Sequence, residues 1–274
     1  MERAGNGLLK ILFISNRIRK ERMKIAIITG ASSGLGREFF LQAGDYFSDI
    51  EEYWLVARRA ERLTEYAALL PNKKVVCVPL DLAKDESYST LSELLAERKP
   101  EVRLFVNNAG LGFWGSVESL GTEKQINCVD VNVKAVTALS AAILPYMGQN
   151  GRIIFTSSIA SFAPNAYMTT YSSSKAYVTA FARGLRYELK KDSRKIKVTV
   201  VCPGPMATEF ISVGGVKSKT FEKLPYCNPV KVVRGTLKCA KRGKFIYTNR
   251  LFFKFYRLVA KILPTAWVMP MAKT

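Results

Sequence analysis

The chain has no histidine among its 274 residues. Hydrolysis by a Ser-His-Asp triad, attack by a Cys-His pair and metal binding through histidine are therefore excluded for this sequence, and we expect no metal site. Cysteine is scarce, and its five copies show no C-x-x-C spacing; Cys77 and Cys202 lie in apolar runs typical of strands. We expect reduced, mostly buried thiols and a cytoplasmic protein.

Acidic residues are also few, and they are almost missing from the end of the chain. The sequence has 42 Lys or Arg against 22 Asp or Glu, a net charge of +20, and residues 215–274 hold fourteen Lys or Arg but one acid, Glu222. Positive charge of this size suits nucleic acid or an anionic lipid surface. No nucleic-acid motif accompanies it, so we expect no nucleic-acid partner.

The last segment, 249–274, has the pattern of a basic amphipathic helix that runs to Pro264. A helix with a basic stripe and a broad apolar face is typical of binding to an anionic membrane surface. Two alternatives stay open: the apolar face packs on the protein's own core, or it pairs with another subunit. A membrane-spanning helix is disfavoured because charges interrupt a stretch of barely about 20 residues. Four cations, spaced by four, three and four residues, form the stripe: Arg250, Lys254, Arg257 and Lys261.

Strand and helix patterns alternate along the chain without internal repeats. With 48% hydrophobic residues, a chain of this length can bury one large α/β core. Alternation of this kind predicts a parallel sheet covered by helices on both faces. The predicted strands are 24–29, 53–57, 74–78, 103–107, 152–157, 197–202 and 245–248. The predicted helices are about 35–47, 60–70, 87–98, 123–147, 170–191 and 228–241.

A glycine-rich turn follows the first predicted strand, Lys24–Thr29. A strand, a glycine turn and a helix N-terminus together place amide groups and a helix dipole around a pyrophosphate. Three glycines within seven residues also occur in ordinary loops, so the pattern alone is not decisive. The residues that would bind a dinucleotide here are Gly30, Ser32, Ser33, Gly34, Leu35 and Gly36.

Tyr171 and Lys175 are four residues apart, which places both side chains on one face of a helix. An ammonium group close to a phenol favours the phenolate and lowers the phenol's pKa, and such a phenol can exchange a proton with a carbonyl or alcohol oxygen. Ser158 lies upstream, with Ser157 as its competitor. The alternative interpretation is an exposed polar helix start at Tyr171 and serines that simply end a strand.

Over roughly residues 23–248 the chain resembles the short-chain dehydrogenases/reductases. The resemblance rests on five motifs in the family's order. They are Thr29-Gly30-x-x-x-Gly34-x-Gly36, Asn107-Asn108-Ala109-Gly110, Asn132, Ser158 with Tyr171 and Lys175, and Pro203-Gly204 followed by Thr208. The family's fold implies a Rossmann-type, doubly wound parallel sheet of seven strands in a single domain. It also implies a homodimer or homotetramer that pairs through the helices at about 123–147 and 170–191.

The resemblance also implies a role for each matching residue. Tyr171 would be the acid or base, and Ser158 would polarise the substrate's carbonyl oxygen. Lys175 would lower the pKa of Tyr171 and bind the nicotinamide ribose, while Asn132 would support a water in a proton relay. Thr208 would contact the carboxamide. The remaining cofactor contacts would be Asp81, Leu82, Asn108, Ala109, Gly110, Pro203 and Gly204.

The end of the second strand predicts which dinucleotide is bound. A carboxylate there would select NAD(H) by binding the adenosine ribose. Instead Ala57 is followed by Arg58 and Arg59, and a guanidinium suits the 2′-phosphate of NADP(H). We therefore expect NADP(H), with Arg58 as the contact and NAD(H) as the alternative. Arg59 fits the start of a solvated helix.

These expectations divide the chain into an N-terminal extension at 1–22, a dehydrogenase domain at 23–248 with a substrate lid at about 205–227, and the basic tail. We hypothesise that Met23 is the natural start. The expected function is NADPH-dependent carbonyl reduction or the reverse alcohol oxidation. Apolar lid residues suggest a lipophilic substrate: Met206, Phe210, Ile211 and Phe221. The alternative is a catalytically silent NADP-binding scaffold or redox sensor. Either protein could also be attached peripherally to the inner face of a membrane.

Overall fold

The computed structural model describes residues 22–215 and 224–272. Seven parallel strands form one sheet in the order β3-β2-β1-β4-β5-β6-β7. The predicted doubly wound fold is confirmed. The strands are β1 Lys24–Thr29, β2 Glu52–Ala57, β3 Lys74–Pro79, β4 Glu101–Asn107, β5 Met147–Thr156, β6 Lys197–Val201 and β7 Ile246–Tyr247.

The helices lie between these strands and after them. In the first half of the chain they are α1 Gly34–Ala43, α2 Ala60–Ala67, α3 Glu86–Arg98, α4 Val117–Val129 and α5 Ala135–Ile143. In the second half they are α6 Thr169–Lys191, α7 Glu209–Gly214, α8 Pro229–Lys241, α9 Leu251–Ile262 and α10 Thr265–Val268.

The alternating side chains of β1 explain why helices cover both faces of the sheet. Ile25 and Ile27 pack in one core with residues of α3, α5 and α6. Ala26 and Ile28 pack in the other with residues of α1, α2, α8 and α9. All four are completely buried, as expected for a central parallel strand. The strand order reverses at β1, which pairs with both β2 and β4, and this is where such sheets bind ligands.

The predicted helix at 123–147 is wrong in its extent. Helix α4 begins at Val117, earlier than predicted, with a kink at Gly121, whose φ of 70° lies outside the helical region. A π-helical turn at Asp130–Lys134 then separates α4 from α5. Met147 begins β5 and pairs with Val102, with a register shift before the main ladder. Residues 117–146 have the length and hydropathy of a membrane span, but 44% of the best window is buried, as in core helices of globular proteins.

All five cysteines are free thiols, and four of them are buried. Of the predicted lid, residues 205–215 and 224–227 are described, and α7 lies within the first part. Phe221 and the N-terminal extension up to residue 21 lie outside the described residues, so the expectations about them stay predictions.

Candidate active site

A cleft of about 370 Å³ opens at the carboxyl ends of the strands. It collects residues that follow six of them, from Gly30 after β1 to Pro203 after β6. Of the predicted site residues, Gly36 and Asn132 do not line it. Those that do are Gly30, Ser32, Ser33, Gly34, Leu35, Arg58, Asp81, Leu82, Asn108, Ala109, Gly110, Ser158, Tyr171, Lys175, Pro203, Gly204 and Thr208.

The glycine turn is built so tightly that side chains would not fit. Gly30 has a φ of +63°, and a Cβ added to it would lie 2.9 Å from the Cα of Ala109. A Cβ on Gly36 would lie 2.0 Å from the carbonyl oxygen of Gly30. Gly36 therefore shapes the turn from behind, while the N-terminal amides of α1 lie at the wall of the cleft. Such a turn leaves room for a phosphate to approach the backbone.

Thr29 ties the ends of β1 and β4 together. Its Oγ1 accepts hydrogen bonds from the backbone amides of Asn108 at 2.9 Å and Ala109 at 3.0 Å. The Asn108 side chain donates from Nδ2 to the Thr29 carbonyl at 3.0 Å and accepts at Oδ1 from Thr156 at 3.1 Å. This network holds three strand ends at fixed spacing, so the cleft wall is rigid where the cofactor motif lies.

The structure separates the two serine candidates. The Ser157 hydroxyl donates to the Lys175 carbonyl at 2.8 Å and also contacts the Thr179 hydroxyl, so it fastens β5 to α6. Ser158 instead lines the cleft close enough to Tyr171 to influence its pKa, and its hydroxyl accepts from the amide of Ala160 at 3.1 Å. Ser158 is thus the serine whose hydroxyl can act with the phenol on one substrate oxygen.

Lys175 lies on the same side of α6 as Tyr171, but it does not touch the phenol oxygen. Its Nζ donates to the Thr156 carbonyl at 3.0 Å and lies 5.8 Å from the centre of the Tyr171 ring. Lys175 is buried, and Tyr171 is half-buried in the cleft wall. The predicted juxtaposition on one helix face is therefore present, with the ammonium held by the backbone of β5.

The expected lowering of the Tyr171 pKa is wrong for this structure. Burial raises the pKa of Tyr171 to about 12 because it penalises the phenolate, and the nearby Ser158 hydroxyl offsets only part of this rise. Burial also lowers the pKa of Lys175 to about 8. The ammonium is itself disfavoured by burial and is directed at Thr156, so it does not overcome the desolvation of the phenolate.

Asn132 is fully buried in the π-helical turn and lies behind the cleft. Its Oδ1 accepts from the amide of Leu111 at 2.8 Å, and its Nδ2 donates to the Leu111 carbonyl at 2.7 Å and to Ser174 at 2.9 Å. These bonds fasten the segment after Gly110 to α6. The water-relay role of Asn132 stays a prediction.

The adenosine end of the cleft contains both arginines, and the interpretation of Arg59 as only a solvated helix start is incomplete. Arg59 does precede α2, but its Nη2 donates to Ser32 Oγ at 3.1 Å and to Glu209 Oε2 at 2.7 Å. The Arg59 guanidinium holds the pKa of the Glu209 carboxyl below its usual value. Arg58 is exposed and lines the same end.

Sequence reasoning missed several lining residues, and two of them, Glu209 and Asn165, bear on the chemistry of the cleft. Glu209 forms its ion pair across 150 residues of chain, which no local pattern reveals. Asn165 lines the cleft near Tyr171, and its buried Oδ1 has no hydrogen-bond partner among the described residues. Phe210, noted only as an apolar lid residue, places its ring centre 5.4 Å from that of Tyr171. No group of three potential metal ligands occurs in the described ranges.

Comparison with known proteins gives consistent matches. The profile of the short chain dehydrogenase family matches residues 24–213. A dehydrogenase/reductase SDR family protein 7-like from Anopheles gambiae is 32% identical over 213 residues, covering 73% of this chain and 66%, just under two thirds, of that protein.

Two solved structures are similar over most of their length. A short-chain dehydrogenase from Sphingobium yanoikuyae in complex with NADPH has a TM-score of 0.73 at 25% identity and covers 88% of this chain and 96% of that one. An alcohol dehydrogenase from Thermococcus sibiricus complexed with 5-hydroxy-NADP has a TM-score of 0.70 at 26% identity and covers 84% of this chain and 97% of that one.

Proposed function

The chain belongs to the short-chain dehydrogenase family of oxidoreductases, and on that premise we propose that it transfers a hydride between NADP(H) and a ketone or secondary alcohol. The observation that carries this proposal is the placement of Ser158, Tyr171 and Lys175 together in the same cleft as the glycine turn. Bound in this cleft, NADP(H) would supply the hydride. The protein's own residues would supply the proton and hold the substrate oxygen.

The donor groups at the adenosine end fit a 2′-phosphate. Arg59 already holds one anionic oxygen of Glu209 and also donates to the Ser32 hydroxyl, so its guanidinium is positioned for a negatively charged group at this end of the cleft. Arg58 lines it as well, and β2 ends in Ala57 rather than in the carboxylate that would select NAD(H). The two related structures named above contain NADPH and 5-hydroxy-NADP, which supports the same choice.

The proton chemistry favours the direction of reduction. With a pKa of about 12, the Tyr171 phenol stays protonated at neutral pH and can donate to a carbonyl oxygen. The Ser158 hydroxyl lies beside it and can stabilise the same oxygen as charge develops there. Below its pKa of about 8, Lys175 carries a positive charge 5.8 Å from the ring centre, which opposes the charge left on the phenol. In most cytosols NADPH is also more abundant than its oxidised form, which favours reduction of the substrate.

The substrate end of the cleft supports a lipophilic carbonyl compound. Its walls are largely apolar, and the Phe210 ring packs against Tyr171. The unpaired Oδ1 of Asn165 offers one acceptor for a hydroxyl or amide on the substrate. The apolar lining residues here are Leu111, Ile159, Met168, Met206, Phe210, Ile211 and Leu224.

We also propose that the protein forms a homo-oligomer through α4 and α6. Ile126 and Val129 on α4 and Tyr187 on α6 are large apolar or aromatic side chains exposed to solvent. Burying them between copies would remove apolar surface from water. Sedimentation velocity of wild type against Ile126→Glu tests this: a wild-type dimer or tetramer that dissociates in the variant supports it, and a monomeric wild type contradicts it.

The decisive experiment compares two tyrosines of α6. We expect NADPH to bind more tightly than NADH in fluorescence titrations, and wild type to reduce members of a panel of lipophilic ketones. Tyr171→Phe should lower kcat at least 100-fold while NADPH binding is kept, because the proton donor is lost. The matched control is Tyr177→Phe, the same change on the same helix, at a hydroxyl that contacts Thr137 outside the cleft and should leave kcat unchanged.

Other results lead to other conclusions. NADPH binding without turnover of any carbonyl compound would favour the binding scaffold or redox sensor. Failure to bind either nucleotide would overturn the oxidoreductase proposal altogether.

A further inference from the structure

The tail helix α9 presents its apolar side to solvent. Leu251, Phe255, Leu258 and Ile262, spaced by four, three and four residues, lie on one face and are 81%, 65%, 54% and 69% exposed. We call these four residues the apolar stripe. The opposite side carries Phe253, which is 1% exposed. One alternative was that the apolar face of this helix packs on the protein's own core. Among the described residues, that holds only for Phe253 and its neighbours on the inner side.

Contacts on the inner side of α9 hold the helix in place. The Phe253 ring packs against Gly204 so closely that a Cβ on Gly204 would lie 2.2 Å from Phe253 Cε2. The ring centres of Tyr256 and Phe162 are 6.1 Å apart, and Arg257 Nη1 donates to Thr248 Oγ1 at 3.2 Å. The apolar stripe is thus a fixed outward surface on an anchored helix.

Positive charge surrounds the stripe. Lys254 and Lys261 are exposed beside it, whereas Arg250 and Arg257, the other two cations of the predicted basic stripe, bind Tyr226 and Thr248. Residues 224–272 contain ten Lys or Arg and no Asp or Glu. Beyond Pro264, Trp267 is 67% exposed, and tryptophan is favoured at the boundary between lipid headgroups and acyl chains.

We propose that α9 and Trp267 dock the protein on an anionic lipid bilayer, with the apolar stripe inserted between headgroups and the lysines bound to lipid phosphates. A second copy of the chain fits this surface less well. In a twofold interface the same patch faces itself, so the lysines of both copies would meet with no acid in 224–272 to pair with them. An anionic bilayer complements both the apolar stripe and its charge.

The anchoring contacts place this docking surface beside the cleft. Gly204 lines the cleft, and Phe253 packs directly on it. Docking would therefore hold the substrate end near the bilayer, where a lipophilic ketone concentrates. This consequence for the substrate, unlike the docking itself, rests on the proposed function.

Vesicle sedimentation of the full chain tests the docking. We expect the wild type to sediment with vesicles of equal parts phosphatidylglycerol and phosphatidylcholine, to bind phosphatidylcholine vesicles weakly, and to be released by high salt. Phe255→Gln with Leu258→Gln should weaken partitioning at least tenfold. The matched control is Leu69→Gln, which changes an exposed leucine in the loop after α2 and should bind as wild type does.

The charge contribution is tested with two pairs of lysines. Lys254→Gln with Lys261→Gln should weaken binding to anionic vesicles, whereas Lys190→Gln with Lys191→Gln, an equal loss of charge at the exposed end of α6, should have little effect. NADPH binding, measured on every variant, reports folding and is independent of docking. Three results would overturn the proposal. They are no binding of wild type to anionic vesicles, binding of the Phe255→Gln, Leu258→Gln variant that equals that of wild type, or concentration-dependent self-association that Leu258→Gln abolishes.

Discussion

Arg59 and Glu209 are 150 residues apart in sequence, and their side chains form an ion pair with Nη2 2.7 Å from Oε2. The same guanidinium nitrogen donates to the hydroxyl of Ser32 in the glycine turn. The end of β2, the glycine turn and the first residue of α7 therefore meet at one side chain. A phosphate that binds at this end of the cleft would compete with the Glu209 carboxylate for the Arg59 guanidinium.

Arg59→Ala should weaken NADPH binding at least tenfold and leave NADH binding nearly unchanged, since a hydrogen bond to a charged group contributes about 1.5–3 kcal/mol. Arg58→Ala, predicted from sequence, should act in the same direction. Fluorescence titration with both nucleotides measures the effect. Arg234→Ala is the control, because Arg234 is exposed on α8 and does not line the cleft. If NADPH binds Arg59→Ala as tightly as wild type, the assignment of Arg59 is wrong.

Glu209→Gln should tighten NADPH binding by up to about fivefold relative to NADH. The amide keeps the shape of the side chain but removes the negative charge that a 2′-phosphate would meet at the guanidinium; exposed pairs of this kind are worth up to about 1 kcal/mol. The ratio of the two dissociation constants is the readout. An unchanged ratio would show that Glu209 moves away at no cost when the cofactor binds.

Gly204→Ala should lower the free energy of unfolding by about 1–3 kcal/mol, because the added Cβ forces the buried Phe253 ring to move. Urea denaturation measures the change. Gly184→Ala on α6 is the matched control: nothing lies within 4 Å of its Cβ, and alanine in a helix should raise stability by about 0.5–1 kcal/mol. Equal effects of the two substitutions would contradict the close packing of α9 on this turn.

Lys175→Met should stabilise the fold at pH 7, and this gain should shrink as the pH rises. Burial lowers the folded-state pKa of Lys175 from 10.5 to about 8. Below pH 8 the lysine is charged in both states and its burial costs stability. Between pH 8 and 10.5 only the unfolded state keeps the proton, so wild type gains stability relative to the variant.

Urea denaturation of wild type and Lys175→Met should show that the difference in their free energies of unfolding is about 2 kcal/mol smaller at pH 9.5 than at pH 7. Lys190→Met, at an exposed site on the same helix, serves as the control. A difference that is constant or grows with pH would contradict the burial of a charged Lys175.

Local sequence patterns predicted much of the fold and part of the candidate site. The apolar run Lys24–Thr29 followed by Gly30 predicted β1, the turn and α1, because a buried parallel strand and a glycine with positive φ leave clear local signals. The spacing of Tyr171 and Lys175 placed them on one helix face for the same reason. The helix predicted at 123–147 extends too far, because apolar periodicity does not reveal that α5 ends at Ile143 and that Met147 pairs with Val102 as part of β5.

What the sequence by itself determined is therefore the order of strands and helices, the family and the residues that could form the site, since each depends on neighbours a few positions apart. Only the tertiary structure decided which of them meet. It directed Ser158 rather than Ser157 at Tyr171, joined Arg59 to Glu209, and raised the pKa of Tyr171 through burial. It also turned the apolar side of α9 outward. These outcomes depend on distant segments and on burial, which are set only when the whole chain has packed.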